Sequence, residues 1–203
     1  MPVFIHDCDL PDELKFEDAI AVDTETMGLI CRRDKLCLVQ LSDGGGDVHL
    51  VKFSGSYKAP NLISVLSDSS VTKIFHFARF DIAVIRYYLG IWATPCYCTK
   101  IASKLVRTYT DHHGLKELCY ELLSVKLNKM QQSSDWGRES LTSDQVNYAA
   151  SDVVYLHALK SKLDVMLQRE NKQELAESCF KFLPTRAQLD LLGWDDVDIF
   201  SHA

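Results

Sequence analysis

Residues 19–25 read AIAVDTE, four apolar residues followed by two acids that flank a threonine. The apolar run predicts a buried strand over residues 19–23. Because side chains alternate along a strand, Asp23 and Glu25 are expected on the same side, at the strand's end. Two partly buried carboxylates repel each other, so this placement is costly unless a cation compensates. The stretch therefore predicts a core strand ending in a cation site, with a solvated acidic turn as the alternative.

The segments around this strand predict a sheet. Up to residue 77 the apolar segments are short, and three glycines at 44–46 fall between two of them as a hairpin-like turn. The further predicted strands are 36–41, 48–53 and 71–77.

From residue 78 onward the pattern is helical. Apolar residues recur at helix spacing at positions 82, 85, 88 and 89, and again at 115, 118, 122 and 123. Thr142 and Ser143 are expected to cap a long helix over residues 143–168. Strands built early and helices built later predict an α/β fold, a mixed central sheet flanked by helices.

The chain has 203 residues and a formal net charge of −6. This length fits a single domain over residues 1–203. Proteins that coat long nucleic acids are usually basic, so we expect any nucleic acid to be held locally, with metal ions supplying positive charge. No apolar run approaches a membrane span and the amino-terminal residues lack a signal-peptide pattern, so we expect a cytoplasmic protein with no membrane partner.

The seven cysteines favour reduced, packed thiols. They are odd in number and contain no CxxC pair, so a zinc site is poorly supported. Cys96 and Cys98 are the one close pair, and a single CxC is weak evidence for metal binding or oxidation.

Two later segments contribute acids. Asp81 ends the stretch FARFD at a predicted strand–helix junction, where the helix dipole alone could also favour an acid. Tyr148 and Asp152 stand four residues apart and share one helix face, at the edge of the apolar stripe. A half-buried aromatic beside a solvated acid is the alternative there.

The order of these segments is far more specific than any one of them. Phosphodiester hydrolysis places a water in line with phosphorus, and two divalent ions about 3.5–4 Å apart stabilise both oxygens involved. Magnesium prefers oxygen ligands, and four carboxylates balance two such ions. We therefore expect Asp23, Glu25, Asp81 and Asp152 to hold two Mg²⁺ ions, with Mn²⁺ able to substitute. Tyr148 is expected to orient the attacking water and to help deprotonate it.

These motifs resemble the DEDD exonuclease superfamily, within its ribonuclease D-like branch. The first motif matches DTE at 23–25, the second HFARFD at 76–81 and the third YAASD at 148–152. Tyr148 stands where the DEDDy subclass has its tyrosine, and Asn147 where the other subclass has histidine. The resemblance covers about residues 15–170. It implies a ribonuclease H-like fold and a 3′-5′ exoribonuclease, with Asp23, Glu25, Asp81, Tyr148 and Asp152 catalytic.

The resemblance extends to a short bacterial type, nanoRNase C, which degrades very short RNA. Ribonuclease D itself carries helical nucleic-acid-binding domains after the catalytic domain, and this chain ends about fifty residues after Asp152. This type implies short RNA 3′ ends as the partner, with DNA as an alternative, and a ring-shaped homo-octamer. Residues 184–203 are expected to form a carboxyl-terminal tail used in oligomer contacts.

Substrate-binding residues follow from the same resemblance. Leu29 matches a leucine that wedges between terminal bases, although a plain core leucine is equally expected. Gly28 is expected to let the backbone approach the terminal nucleotide, and Thr24 to offer its backbone near the 3′-hydroxyl.

Further candidates for the same cleft rest on their position near the motifs. His76 is the weakest of them, because a histidine at a strand end is more often structural. Arg138 is expected to meet a phosphate and Trp136 to stack on a base, against packing at the surface. The remaining cleft candidates are Phe77 and Phe80, although a core position is the favoured alternative for Phe80.

Three alternatives stay open. An exonuclease for longer RNA, or for DNA in repair, would keep the same carboxylates. A non-catalytic nucleic-acid-binding scaffold on a nuclease fold is disfavoured, because all five catalytic residues are present in order. A metal-dependent phosphatase is disfavoured because the sequence lacks a phosphate-cradling glycine loop.

Overall fold

The computed structural model describes residues 2–127 and 134–202. Its centre is a six-stranded sheet with the order β1-β4-β3-β2-β5-β6. Strands β2, β3 and β4 pair antiparallel in succession, whereas β1 joins β4, β5 joins β2 and β6 joins β5 in parallel. The strands are β1 (Val3–Asp7), β2 (Ala19–Thr26), β3 (Leu36–Ser42), β4 (Val48–Lys52), β5 (Thr72–Phe75) and β6 (Cys96–Cys98).

Helices flank this sheet, and α5 packs against β2, β3 and β4. All residues of β3 and β4 are buried, including the polar residues Gln40, Ser42, His49 and Lys52. The helices are α1 (Pro60–Ser67), α2 (Ala78–Leu89), α3 (Thr99–Val106), α4 (Leu115–Leu123), α5 (Ser143–Val154), α6 (Leu156–Arg169) and α7 (Gln173–Leu192). The predicted α/β fold with a mixed central sheet is confirmed.

The four predicted strands are confirmed within a few residues, and the glycines at 44–46 connect the β3–β4 hairpin. Strands β1 and β6 had not been predicted. Strand β1 lies at the sheet edge with mostly exposed or half-buried residues, so its sequence lacks a clear apolar pattern. Strand β6 has three residues, too few for a periodic signal.

The prediction of one continuous helix over residues 143–168 is wrong. The chain forms α5 and α6, which meet at Tyr155 with φ −97° and ψ −6°. Apolar residues keep helix spacing across the junction, so the pattern carried no sign of it. The amino-terminal end is confirmed, because Thr142 forms a capping box with Gln145.

Residues 184–203, for which a tail used in oligomer contacts stays a prediction, begin inside a helix, because α7 continues through Pro184 to Leu192. Proline has no amide hydrogen, so the carbonyl of Phe180, four residues earlier, loses its helical donor. The thiol of Cys96 donates to this carbonyl over 3.5 Å. A contact from strand β6 therefore compensates in part for a proline that the sequence suggested would begin a new segment.

Two further expectations can be compared with the structure. All seven cysteines are free thiols, as predicted. Within residues 2–127 and 134–202, the helices are all too short or too polar to cross a bilayer.

A candidate active site at the ends of parallel strands

The cleft lies where β2, β5 and β6 end. These strands are parallel, so their carboxyl ends meet at one edge of the sheet, where ligands commonly bind in α/β folds. Pairing of β2 with β5 stops at Ala21 and Ile74, and β2 continues beyond it with β3 as its partner. The last residues of β2 therefore border an open cleft of about 550 Å³.

Three carboxylates meet in this cleft. Asp23 and Glu25 come from β2, as strand alternation predicted, and Asp152 comes from α5. Each offers one oxygen, and these atoms lie within 4.8 Å of one another. The arrangement excludes the solvated-turn alternative for this segment.

The fourth acid is tied to the same strand. Asp81, in the first turn of α2, is buried and accepts a hydrogen bond of 2.7 Å from the hydroxyl of Thr24. Only the backbone of Thr24 had been expected to take part in the site, and the structure adds this contact of its side chain with Asp81. Asp81 also lines the cleft, so all four predicted acids are brought together.

Burial and mutual repulsion oppose ionisation of this cluster. Burial raises the pKa of Asp23 well above its ordinary value, and Asp81, Asp152 and Glu25 raise it further. Burial likewise raises the pKa of Glu25, followed by repulsion from Asp152 and Asp81. The pKa of Asp81 is raised by burial to about 7, although the Thr24 hydrogen bond lowers it. A set of hard oxygen donors under such repulsion fits a divalent metal ion such as Mg²⁺.

Gln40 supports the cluster from strand β3 and had not been predicted. It lies directly opposite Asp23, and its Nε2 donates to Oδ2 of Asp23 over 3.2 Å. Gln40 is completely buried, near the end of the run LCLVQL. A lone polar residue within a buried strand was the available signal.

Tyr148 is placed beside the acids, as predicted. Its pKa is raised by burial, followed by the charges of Asp152, Glu25 and Asp23, and it shares a hydrogen bond with Asp152. The raised pKa favours the neutral phenol, which can donate a hydrogen bond.

The prediction that Trp136 stacks on a base is wrong. Trp136 is 2% exposed, and its ring centroid lies 6.0 Å from that of Tyr148. The buried side chain of Gln145 donates to Ser134 and to the Asp135 carbonyl, which folds this segment onto α5. Trp136 therefore packs behind Tyr148.

Arg138 is exposed, and the described residues that line the cleft do not include it. The structure thus gives no support to its predicted phosphate contact. The other six predicted substrate-binding residues do line the cleft: Thr24, Gly28, Leu29, His76, Phe77 and Phe80.

Leu29 is 85% exposed, which excludes the core-leucine alternative. Phe77 is also exposed at 45%, on a left-handed backbone with φ 70° at the start of α2. Exposed apolar side chains beside buried acids suit the faces of nucleic-acid bases. The structure gives a local reason for a glycine at position 28, because a Cβ there would collide with the carboxylate of Asp34.

His76 is fixed in one orientation by Thr99. The Thr99 hydroxyl donates to the Phe75 carbonyl over 3.1 Å, so it must accept from Nδ1 of His76, 2.9 Å away. The neutral ring therefore carries its proton on Nδ1.

Lys100 also lines the cleft and had not been predicted. Its Nζ lies 4.4 Å from the centre of the Phe77 ring. The residue follows β6, and because this strand was missed, no sequence signal placed Lys100 near the acids.

Comparison with known proteins agrees with this geometry. Residues 6–168 match the family described as 3′-5′ exonuclease. A ribonuclease D from Acidiphilium cryptum is 33% identical over 165 residues, which cover 80% of this chain and 41% of that protein. The chain spans about two fifths of the length of the curated relatives it matches.

Some solved structures match this chain over its full length. NrnC from Brucella melitensis with bound Mg²⁺ is 53% identical, with a TM-score of 0.95 and complete coverage of both chains. The same protein bound to pGG is 54% identical to this chain, with a TM-score of 0.95 and complete coverage of both chains. Ribonuclease D from Escherichia coli is 28% identical with a TM-score of 0.75, over 85% of this chain and 45% of that one. The chain therefore belongs to the 3′-5′ exonuclease family, in its ribonuclease D-like branch and with NrnC as its structural type.

Proposed function

We propose that this protein is a metal-dependent 3′-5′ exoribonuclease that shortens very short RNA and releases nucleoside 5′-monophosphates. The observation that carries the proposal is the meeting of Asp23, Glu25 and Asp152 within 4.8 Å in an open cleft, beside Tyr148. Phosphodiester hydrolysis by a two-metal mechanism requires such a set of oxygen donors.

Asp23, Glu25, Asp81 and Asp152 would hold two Mg²⁺ ions, for which Mn²⁺ can substitute. When bound, these ions supply a lowered pKa for the attacking water and charge stabilisation for the scissile phosphate. Support for magnesium comes from the structure of NrnC from Brucella melitensis, which contains bound Mg²⁺.

The chain's own residues then orient the reactants. The neutral phenol of Tyr148 would hydrogen-bond to the attacking water and hold it in line with phosphorus, which assists loss of its proton. Leu29, Phe77 and Phe80 would contact the terminal bases, because they present apolar surface to the cleft.

Two observations favour short RNA. NrnC from Brucella melitensis has been solved with pGG, which in nucleotide notation is a 5′-phosphorylated diguanylate. The net charge of −6 also disfavours binding along extended nucleic acid. Longer RNA or DNA remains the alternative substrate for the same chemistry.

Location, assembly and domain organisation are part of this proposal. Seven free thiols suit a reducing compartment, so we place the protein in the cytoplasm. A homo-oligomer is supported by exposed apolar residues that a partner could cover, including Ile5, 51% exposed, and Phe200, 73% exposed. We regard residues 1–203 as one catalytic domain, with residues 194–202 available for oligomer contacts.

The test is a time course on 5′-labelled RNAs of two, five and twenty nucleotides, with magnesium and with chelator. Magnesium-dependent release of mononucleotides, fastest on the dinucleotide, is expected. Faster turnover of the twenty-mer would indicate that longer RNA is the preferred substrate. A protein that binds metal and hydrolyses none of them would be a scaffold, and hydrolysis of a simple phosphate monoester would indicate a phosphatase.

A further inference from the structure

The start of α2 supplies much of the side-chain surface of the cleft. Phe77, Phe80 and Asp81 all line it. Arg79 lies between them in sequence, and the described residues that line the cleft do not include it. Phe77 begins the helix on a left-handed backbone, and within the described residues no side chain caps the helix there. The placement of this turn therefore depends on contacts from outside the helix.

Arg79 makes such a contact with the last turn of α7. Its Nε and Nη2 donate to the two carboxylate oxygens of Asp190 over 2.6 and 2.7 Å. Nη2 also donates to the Asp195 carbonyl over 2.6 Å. The Asp190 side chain is 10% exposed, and Arg186 lies 3.1 Å from its carboxylate. A two-pronged pair between an arginine and a carboxylate fixes orientation as well as distance.

Both charges of this pair stand at the unfavourable end of their own helix. Arg79 is the second residue of α2, where the free amides carry partial positive charge. Asp190 is in the last turn of α7, where the free carbonyls carry partial negative charge. Each charge is therefore unfavourable unless the other neutralises it. Residues that break a local rule in this way are expected at functional sites, and this pair joins two helix ends beside the cleft.

The pair lines a smaller cavity that adjoins the cleft. This cavity, of about 270 Å³, shares Leu29, Phe77 and Phe80 with the cleft. Arg79 and Asp190 line it as well. The ion pair therefore lies next to the three apolar side chains that are proposed to contact the bases.

The acids of the cleft are held by other contacts. Asp81 is buried and accepts its hydrogen bond from Thr24, and the other three acids belong to β2 and α5. Loss of the Arg79–Asp190 pair should therefore disturb the apolar residues of the cleft more than its acids.

We propose that Asp190 is a positioning residue that, through Arg79, holds Phe77 and the start of α2 in place for substrate binding. The inference rests on the proposed exonuclease function and adds to it a residue 111 positions away from Arg79. Asp190 acts without touching substrate or metal, because it keeps the apolar surface of α2 presented to the terminal bases. The expected signature of its loss is a raised KM, with kcat and Mg²⁺ affinity close to their wild-type values.

Asp190→Asn tests this role on a 5′-labelled dinucleotide. The amide keeps the size of the side chain but removes its charge and one of its two acceptors. KM should rise by at least about fivefold, the lower end of what stacking of one base on an aromatic side chain contributes. Asp164→Asn is the matched control, because it breaks an ion pair of the same 2.6 Å length with Lys160 and should keep the wild-type KM. A wild-type KM in folded Asp190→Asn protein overturns the proposal.

A double variant separates positioning from stability. Arg79→Met with Asp190→Leu removes both charges of the pair, and replacing an ion pair by apolar residues is often neutral for stability. The melting temperature should stay near the wild-type value, whereas KM should remain raised by at least about fivefold. A wild-type KM in this variant would mean that the pair serves stability alone. Arg79→Lys keeps the charge without the two-pronged geometry and should give an intermediate KM.

Calorimetry distinguishes a failure of this inference from a failure of the proposed function. A dinucleotide is titrated into Asp152→Asn protein, with and without Asp190→Asn, so that binding is measured where substrate is not consumed. Binding at least about fivefold weaker in the double variant supports the positioning role even if the wild type hydrolyses no RNA. Equal affinity with and without Asp190→Asn overturns that role, and magnesium-dependent turnover by the wild type would still leave the exonuclease function intact.

Discussion

Gln40 donates a hydrogen bond from Nε2 to Oδ2 of Asp23 over 3.2 Å, across the directly paired strands β3 and β2. The glutamine is completely buried, and within the described residues its Oε1 has no hydrogen-bond partner. A buried amide with one unsatisfied oxygen costs free energy of folding. This cost is offset when the Nε2 group of the same amide orients Asp23, which we propose as a metal ligand.

Replacing Gln40 with leucine should therefore weaken metal binding. The variant keeps a similar side-chain volume but leaves Oδ2 of Asp23 without its donor, so Mg²⁺ affinity should fall by about 10–100-fold. Calorimetric titration with Mg²⁺ measures this directly. Gln168→Leu, at an exposed position on α6, should keep wild-type affinity. Unchanged affinity in Gln40→Leu would show that Asp23 needs no orientation from β3.

Asp152→Asn should reduce turnover by at least about 1000-fold, more than loss of an outer-shell partner costs. The substitution replaces one of the three clustered carboxylates by a neutral amide, which removes its negative charge and one of its two oxygens. Single-turnover hydrolysis of a labelled dinucleotide is the measurement. Asp144→Asn, an exposed acid in the first turn of the same helix, is the control and should be fully active. Retained turnover in Asp152→Asn at saturating magnesium would remove Asp152 from the site.

Tyr148→Phe separates water positioning from metal binding. The phenol hydrogen-bonds to Asp152, yet it is not one of the clustered carboxylates. We expect kcat to fall by at least about 100-fold, with Mg²⁺ affinity and KM nearly unchanged. The variant keeps the aromatic ring that packs on Trp136, so its melting temperature is the check on folding. A wild-type kcat would exclude Tyr148 from the mechanism.

Most of the fold and the acids could be predicted from the sequence, because both depend on local patterns. Alternation along β2 placed Asp23 and Glu25 together, and the capping pattern placed the start of α5. The order of the three motifs then placed Asp81 and Asp152 in the same cleft.

The errors arise where a residue's role depends on contacts distant in sequence. Trp136 is buried because Gln145 folds its segment onto α5, which no spacing reveals. Lys100 reaches the cleft through β6, a three-residue strand without a periodic signal. Arg79 pairs with Asp190, which lies 111 residues later, so no local sequence pattern could predict this contact between α2 and α7.

Leu29→Ala should raise KM without lowering stability. The side chain is 85% exposed, so its removal leaves no cavity in the core. Fully burying a leucine side chain against a base would contribute up to about 1.5–3 kcal/mol, which corresponds to a KM increase of up to roughly 10–150-fold on a dinucleotide. Leu175→Ala, an exposed leucine on α7 outside the cleft, should change neither KM nor melting temperature. An unchanged KM in Leu29→Ala would show that Leu29 does not touch the substrate.

The acidic cluster should also give the metal-free protein an unusual pH dependence. Asp81 has a pKa raised by burial to about 7, from an ordinary value of 3.8. The folded state therefore binds this proton more tightly than the unfolded state does, so stability falls as pH rises between these two values. Asp23 and Glu25 shift in the same direction, because burial and mutual repulsion also raise their pKa values.

In chelator, the melting temperature should therefore decrease between about pH 5 and pH 8, and saturating Mg²⁺ should reverse this trend by binding the ionised acids. Asp81→Asn should flatten the metal-free profile and stabilise the protein at pH 8, because an amide can still accept the Thr24 hydrogen bond without carrying charge. The exposed control Asp144→Asn should retain the wild-type slope. A metal-free protein whose stability rises over this range would mean that its carboxylates are neutralised by something other than protons or metal.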